Sequence, residues 1–208
     1  MRYACWAAGW IVVSTVGCSP AADPELTAAD EPEPIDFRLS DFQAFPPDAD
    51  WFTLEGGFGS GGLPKGYVYS RQPIGRGRLE LEYRVDATGE PEAVPNTGVL
   101  LFIEPPHKTW PVCLEVQGKQ SEAGRVKANG GADDPQTLHD DEALAASPNP
   151  PGEWNELSIQ IGPETLAVTL NGRLTASSLI ESWKDGPFGL QAEGNPVSFR
   201  NVRFTPVR

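Results

Sequence analysis

Leu79-Glu80-Leu81-Glu82-Tyr83-Arg84-Val85 carries the clearest structural signature in the chain. Apolar side chains fall at every second position with ionic ones between them. This is the period of a strand whose one face meets a core and whose other face meets water or a ligand. The pattern recurs at Leu157, Ile159 and Ile161, and again at Leu166, Val168 and Leu170. Asn171-Gly172 follows directly, the pair favoured in a two-residue hairpin turn. In 112–117 the apolar set is Val112, Leu114 and Val116, so Cys113, Glu115 and Gln117 point to the opposite side. Residues 99–103 are apolar throughout, which predicts a central strand covered on both faces, with Val99, Leu101 and Ile103 facing one way. Val197 and Phe199 share one parity while Val202 and Phe204 share the other, so a β-bulge near Arg200-Asn201 would bring both pairs to the core. With 22 Gly and 21 Pro punctuating short strands, and no amphipathic helix, the class is all-β, a β-sandwich or jelly roll.

Three regions stand apart from this pattern. Residues 1–17 have the layout of a bacterial secretory signal, with Arg2 ahead of an apolar run that is too short to span a bilayer. The run ends in Thr15-Val16-Gly17-Cys18, a lipobox-like site whose cysteine would be lipidated. Residues 18–36 form an acidic, proline-rich tether with Leu26 as its one large aliphatic residue before Ile35. The folded domain is expected over 37–208. Processing at Cys18 removes Cys5 and leaves Cys113 as the remaining thiol, so no disulfide framework holds the fold together. Residues 118–154 show no sustained period. Part of this segment is expected to order over a ligand face, with a short helical turn at Ala143 to Ala146. The formal charge of −13 opposes nucleic acid and anionic headgroups as partners and leaves a neutral ligand unaffected; membrane contact is expected by the lipid anchor only.

Several short motifs, taken in order, carry a family resemblance: Leu79 to Arg84, Asn96-Thr97-Gly98-Val99, Glu115-Val116-Gln117-Gly118, Gly152-Glu153-Trp154-Asn155, Leu170-Asn171-Gly172, Gly189-Leu190-Gln191 and Phe199-Arg200-Asn201-Val202. In this order the chain resembles the 3-keto-disaccharide hydrolase domain family, with Thr97 standing where the family usually has Ser. The resemblance implies a two-sheet antiparallel β-sandwich, a concanavalin A-like jelly roll, with sugar bound on the concave face of a curved sheet. It also implies a carbohydrate-active protein that cleaves 3-keto-glycosides by C2 proton abstraction and elimination, which the leader and lipobox-like site would export to the cell envelope. The alternative on the same fold is a non-catalytic, lectin-like carbohydrate-binding domain. A third reading, a scaffold docking partners through the loop 119–151, rests on that loop alone.

Glu115 is the first candidate for a general base, against a solvated strand carboxylate, and His107 is the second. Gln117 would hydrogen-bond a sugar hydroxyl or a developing oxyanion, about 7 Å along the strand from Glu115. Trp110 either stacks on a sugar ring or plugs the edge of the core. Glu82 and Arg84 either join the polar site or form an exposed ion-paired face. Gln191, Arg200 and Asn96 complete the substrate-binding candidates, with Arg200 alternatively satisfying backbone carbonyls at the bulge and Asn96 alternatively capping a turn. Trp154 reads as a core anchor. Cys113 has no neighbouring base in the sequence to activate it and reads as a lining residue. The run Asp133, Asp134, His139, Asp140, Asp141 and Glu142 lacks the spacing of a Ca²⁺ loop and reads as an acidic solvated loop, so no metal is assigned and a cofactor is left open.

Overall fold

The computed structural model describes residues 32–87, 94–181 and 183–207. The signal segment, the lipobox and the tether up to residue 31 lie outside the described residues.

Among the described residues there are fifteen strands, a 3-10 turn at Leu39–Asp41 and one short α-helix: β1 Ile35–Asp36, β2 Phe42–Phe45, β3 Trp51–Leu54, β4 Gly57–Ser60, β5 Gly66–Ser70, β6 Gly77–Val85, β7 Gly98–Glu104, β8 Val112–Gln117, β9 Val126–Asn129, β10 Thr137–His139, α1 Asp141–Ala146, β11 Asn155–Ile161, β12 Thr165–Leu170, β13 Arg173–Leu179, β14 Gly189–Ala192 and β15 Val197–Pro206. They form two antiparallel sheets. One runs β10-β13-β12-β11-β6-β15-β4-β3 with β1 added on β15, and the other runs β2-β5-β14-β7-β8-β9. The alternation leads to the all-β class and the family resemblance to two antiparallel sheets, and both are found.

The main core lies between the sheets. Leu79, Leu81, Leu157, Ile159, Leu166, Val168 and Leu170 meet Val68, Val99, Leu101, Leu114, Val116 and Leu190, and none of these is more than 3% exposed. Asn171 (φ 48°) and Gly172 (φ 79°) close the β12–β13 hairpin in the left-handed geometry that their pairing favours. The β15–β6 register shifts between Arg200 and Arg203, where Asn201 takes φ 52°. Val197, Phe199, Val202 and Phe204 therefore all reach the core despite their mixed parity.

Strand β7 is covered on both faces, as its unbroken apolar run predicts. A second irregularity corrects its parity. The β7–β8 register shifts between Leu101 and Glu104, with Phe102 at φ 58°. Phe102 thus joins Val99 and Leu101 in the main core, while Ile103 turns out to join Leu100. These two pack with Tyr67 and Cys113 in a smaller apolar cluster on the outer face of the six-stranded sheet, flanked by Phe45 and Tyr69.

The segment 118–154 is built into both sheets. β9 extends the six-stranded sheet beside β8, β10 extends the other beside β13, and α1 follows β10 in sequence. The Asp140 carboxylate caps α1 by accepting the Ala143 N–H at 2.9 Å. Trp154 does not anchor the core. It lies under the guanidinium groups of Arg200 (4.1 Å) and Arg84 (5.2 Å) on the outer face of the nine-stranded sheet.

Candidate functional site

The alternation of β8 places Cys113, Glu115 and Gln117 on the outer face of the six-stranded sheet, opposite Leu114 and Val116. The registers align Lys127, Glu115, Leu100, Gly189, Tyr69 and Gln43 in one row across all six strands. At about 4.8 Å per strand step, Glu115 and Tyr69 stand about 14 Å apart at the backbone.

Glu115 is not a solvated carboxylate, being 2% exposed. Its Oε2 accepts a hydrogen bond from Asn129 Nδ2 at 2.6 Å and lies 3.5 Å from Lys127 Nζ. Burial pushes its pKa up, Lys127 pulls against this, and the nearby carboxylates of Glu193 and Glu122 add to the rise. Gln191 is 3% exposed, and its Oε1 is buried without a hydrogen-bond partner. Both side chains lie over Gly98. A Cβ at that position would sit 2.7 Å from Glu115 Oε1 and 3.2 Å from Gln191 Oε1. The glycine is what allows these two groups to converge on one spot. The Thr97 hydroxyl donates to the Gln191 carbonyl at 2.7 Å and ties β7 to β14 beside them.

Gly98→Ala is expected to leave the fold intact, because the added methyl meets the ends of side chains rather than backbone. It displaces Glu115 by the fraction of an ångström to an ångström that costs about 10²-fold in a positioned reaction. Steady-state assays beside a thermal melt check this, and unchanged turnover would rule out convergence at Gly98.

The other candidates divide between two faces. Gln117 is close to Glu115, but its Oε1 already accepts the Lys119 N–H at 2.8 Å. Asn96 caps no turn: its Oδ1 is buried without a partner at the start of β7. Trp110 is 46% exposed on the β7–β8 connection and does not plug the core. On the same connection His107 stacks on Tyr69 with centroids 4.1 Å apart, and its Nδ1 meets the Tyr67 hydroxyl at 3.0 Å. Cys113 is fully buried, its pKa pushed up to about 12 mainly by burial, so it remains a thiol.

Glu82, Arg84 and Arg200 belong to β6 and β15 of the nine-stranded sheet, on the far side of the core from Glu115. Arg200 binds Glu82 Oε2 through two nitrogens at 2.6 and 2.9 Å, and Asn201 Nδ2 donates to Glu82 Oε1. Burial pushes the Glu82 carboxyl up, but the hydrogen bonds from Arg200 and Asn201 outweigh it and hold the group below its usual range. This is an ion-paired surface lattice around Trp154. Arg200 pairs with a carboxylate rather than with the carbonyls of the bulge.

The acidic run also has local partners. Asp134 accepts the Ala128 N–H, His139 Nε2 accepts the Val126 N–H, and Asp141 pairs with Arg125. Among the described residues no group of three or more His, Cys, Asp and Glu side chains converges as a cation site.

Four residues of this face went unread in the sequence: Lys127, Asn129, Tyr67 and Tyr69. The Tyr67-Val68-Tyr69 alternation is a legible strand signal. Lys127-Ala128-Asn129 alternates too, over too few residues to stand out from its polar surroundings.

Comparison with known proteins agrees with this architecture. A provisionally assigned glycosyl hydrolase from Parabacteroides distasonis ATCC 8503 superposes with a TM-score of 0.63 at 16% identity, covering 84% of this chain and 100% of its own. A second such protein from the same organism gives 0.60 at 18% identity, covering 82% of this chain and 90% of its own. The carbohydrate-binding module CBM66 from Bacillus subtilis gives 0.54 at 12%, covering 79% and 96%. At these identities the likeness is one of fold. No curated protein matches the sequence significantly. The family match spans residues 40–205, nearly the whole folded part: the chain belongs to the 3-keto-alpha-glucoside-1,2-lyase-like domain family.

Proposed function

We propose that the domain cleaves 3-keto-glycosides by elimination, with Glu115 as the general base. The observation that carries this reading is a carboxylate 2% exposed, raised in pKa, and held beside a lysine and an unpartnered amide oxygen. A ketone at C3 acidifies the C2 hydrogen. Glu115 takes that proton, the C2–H pair forms the enolate, and the C1–O pair departs with the aglycone oxygen, which is then protonated. The product sugar carries a C1=C2 double bond, which water can add across to complete a net hydrolysis. A base with raised pKa has the driving force for the first step. Lys127, rather than Arg84 on the other sheet, is the cation placed to stabilise the enolate oxygen. The paired carboxylates of ordinary glycosidases are not needed for this route.

Incubating the purified domain with a 3-keto-disaccharide and with its unoxidised parent tests the proposal. Release of monosaccharide from the oxidised sugar alone is expected, and equal cleavage of both would overturn the mechanism. The second reading, a sugar-binding domain without turnover, draws on the stacked Tyr69 and His107 rings on the same face. It predicts saturable binding of both sugars and no product.

Export and anchoring through Cys18 belong to the same proposal, supported by the leader and lipobox-like sequence. Cys18→Ala is expected to move the protein from the membrane fraction to the soluble fraction. Retention of the mutant in membranes would remove the lipid anchor from the account.

A further inference from the structure

Tyr67 is fully buried on β5, beneath the connection that carries His107. Burial, reinforced by Cys113 and Tyr69, raises the pKa of its phenol, so the hydroxyl keeps its proton. A buried O–H that does not donate leaves its desolvation uncompensated. Among the described residues the side-chain partner of this hydroxyl is His107 Nδ1, at 3.0 Å. The phenol can satisfy its proton there only if Nδ1 is an acceptor, and a neutral imidazole with an accepting Nδ1 carries its hydrogen on Nε2. Burial lowers the pKa of His107, which favours the neutral ring. Tyr69 stacks against that ring at 25° between planes, and Phe45 lies 6.3 Å from it between centroids, so its plane is held as well as its tautomer. Nε2 makes no hydrogen bond among the described residues, leaving an N–H free to be donated.

We infer that Tyr67 is a positioning residue that locks His107 as the Nε2–H tautomer, so that His107 serves the sugar-binding face as a hydrogen-bond donor and not as a base. The donor's partner is an oxygen of the ligand, a hydroxyl or the keto group. This inference rests on the proposal that the outer face of the six-stranded sheet binds sugar, and its central test is independent of turnover.

Two-bond ¹⁵N–¹H spectra of the whole protein separate protonated from unprotonated ring nitrogens. The chain has two histidines, so a His107→Ala spectrum identifies the His107 signals. The wild type is expected to show Nε2 protonated and Nδ1 bare. Tyr67→Phe retains the ring while removing the hydroxyl, and is expected to give a mixture of tautomers. A protonated Nδ1 in the wild type overturns the inference, as does an unchanged His107 pattern in folded Tyr67→Phe. If that variant does not fold, the wild-type spectrum alone decides. The donor role is read separately from binding of a 3-keto-disaccharide and from its turnover. His107→Ala is expected to bind at least tenfold more weakly, and His107→Gln, which keeps an N–H at the Nε2 position, to recover most of that loss in both measurements. A loss of about 10²- to 10⁴-fold in turnover for His107→Gln would identify a base instead. If no 3-keto sugar is cleaved, the tautomer assignment still stands or falls on the spectra.

Discussion

Glu115→Gln is expected to fold normally and to lose about 10²- to 10⁴-fold in turnover of 3-keto-glycosides, the usual loss on removing a general base. The substitution keeps the shape of the side chain, and its amide oxygen can still accept from Asn129 Nδ2, the 2.6 Å contact that orients the carboxylate. What disappears is the acceptor for the C2 proton. The pH behaviour follows from the raised pKa, caused first by burial and opposed by Lys127. The base works only when deprotonated, so wild-type kcat/KM should climb through a pH range above that of an ordinary carboxylate. Stability runs the other way. The folded state holds the Glu115 proton more tightly than the unfolded chain does. The contribution of this group is therefore fully present below the unfolded pKa and lost as pH rises through the folded one. Above that window the wild type carries a buried charge that the variant lacks, and there Glu115→Gln should melt no lower than wild type. Full activity in the variant would leave the family membership standing and remove Glu115 as the base.

Leu114→Ala, one residue away, should be the most damaging change to the fold. Leu114 is fully buried between the sheets, and truncating such a leucine costs about 2–5 kcal/mol. That is a large part of a domain's total stability of about 5–15 kcal/mol. A urea titration should show the midpoint falling with little change in slope. A loss below about 1 kcal/mol would mean that the sheets close over the vacated space or that β8 is not central. The two neighbours on one strand thus separate cleanly: one change removes chemistry and spares the fold, while the other weakens the fold.

Alternation made β6, β8, β11 and β12 legible, because each has one face in the core and the other outside it. The bulge at Arg200-Asn201 was legible for the same reason, since the parity of Val197 and Phe199 cannot reach Val202 and Phe204 without it. The irregularity at Phe102 left no such trace, because a strand apolar at every position looks the same with or without a slip. Parity also says only that a side chain leaves its own core, not which sheet it leaves. Glu82, Arg84 and Arg200 therefore read like companions of Glu115 although the sandwich sets them on its opposite side. Lys127 and Asn129 come to Glu115 through the pairing of β8 with β9, a tertiary contact that a four-residue strand in a polar segment does not announce.

Both sheets end in short strands. β10 has three residues, and β2, β3 and β9 have four each. An edge of this length offers a neighbouring molecule only one or two free ladder positions before the chain turns away, which is poor footing for strand-to-strand zippering. β10 is the most vulnerable of them, since Leu138 on it is 81% exposed, but Asp140, Asp141 and Glu142 follow it directly. With −13 on the whole chain, two copies brought close together repel before their edges can pair. The domain is therefore built to stay dispersed when crowded, and a neutralising change such as Asp141→Lys beside Leu138 is where self-association would first gain a foothold.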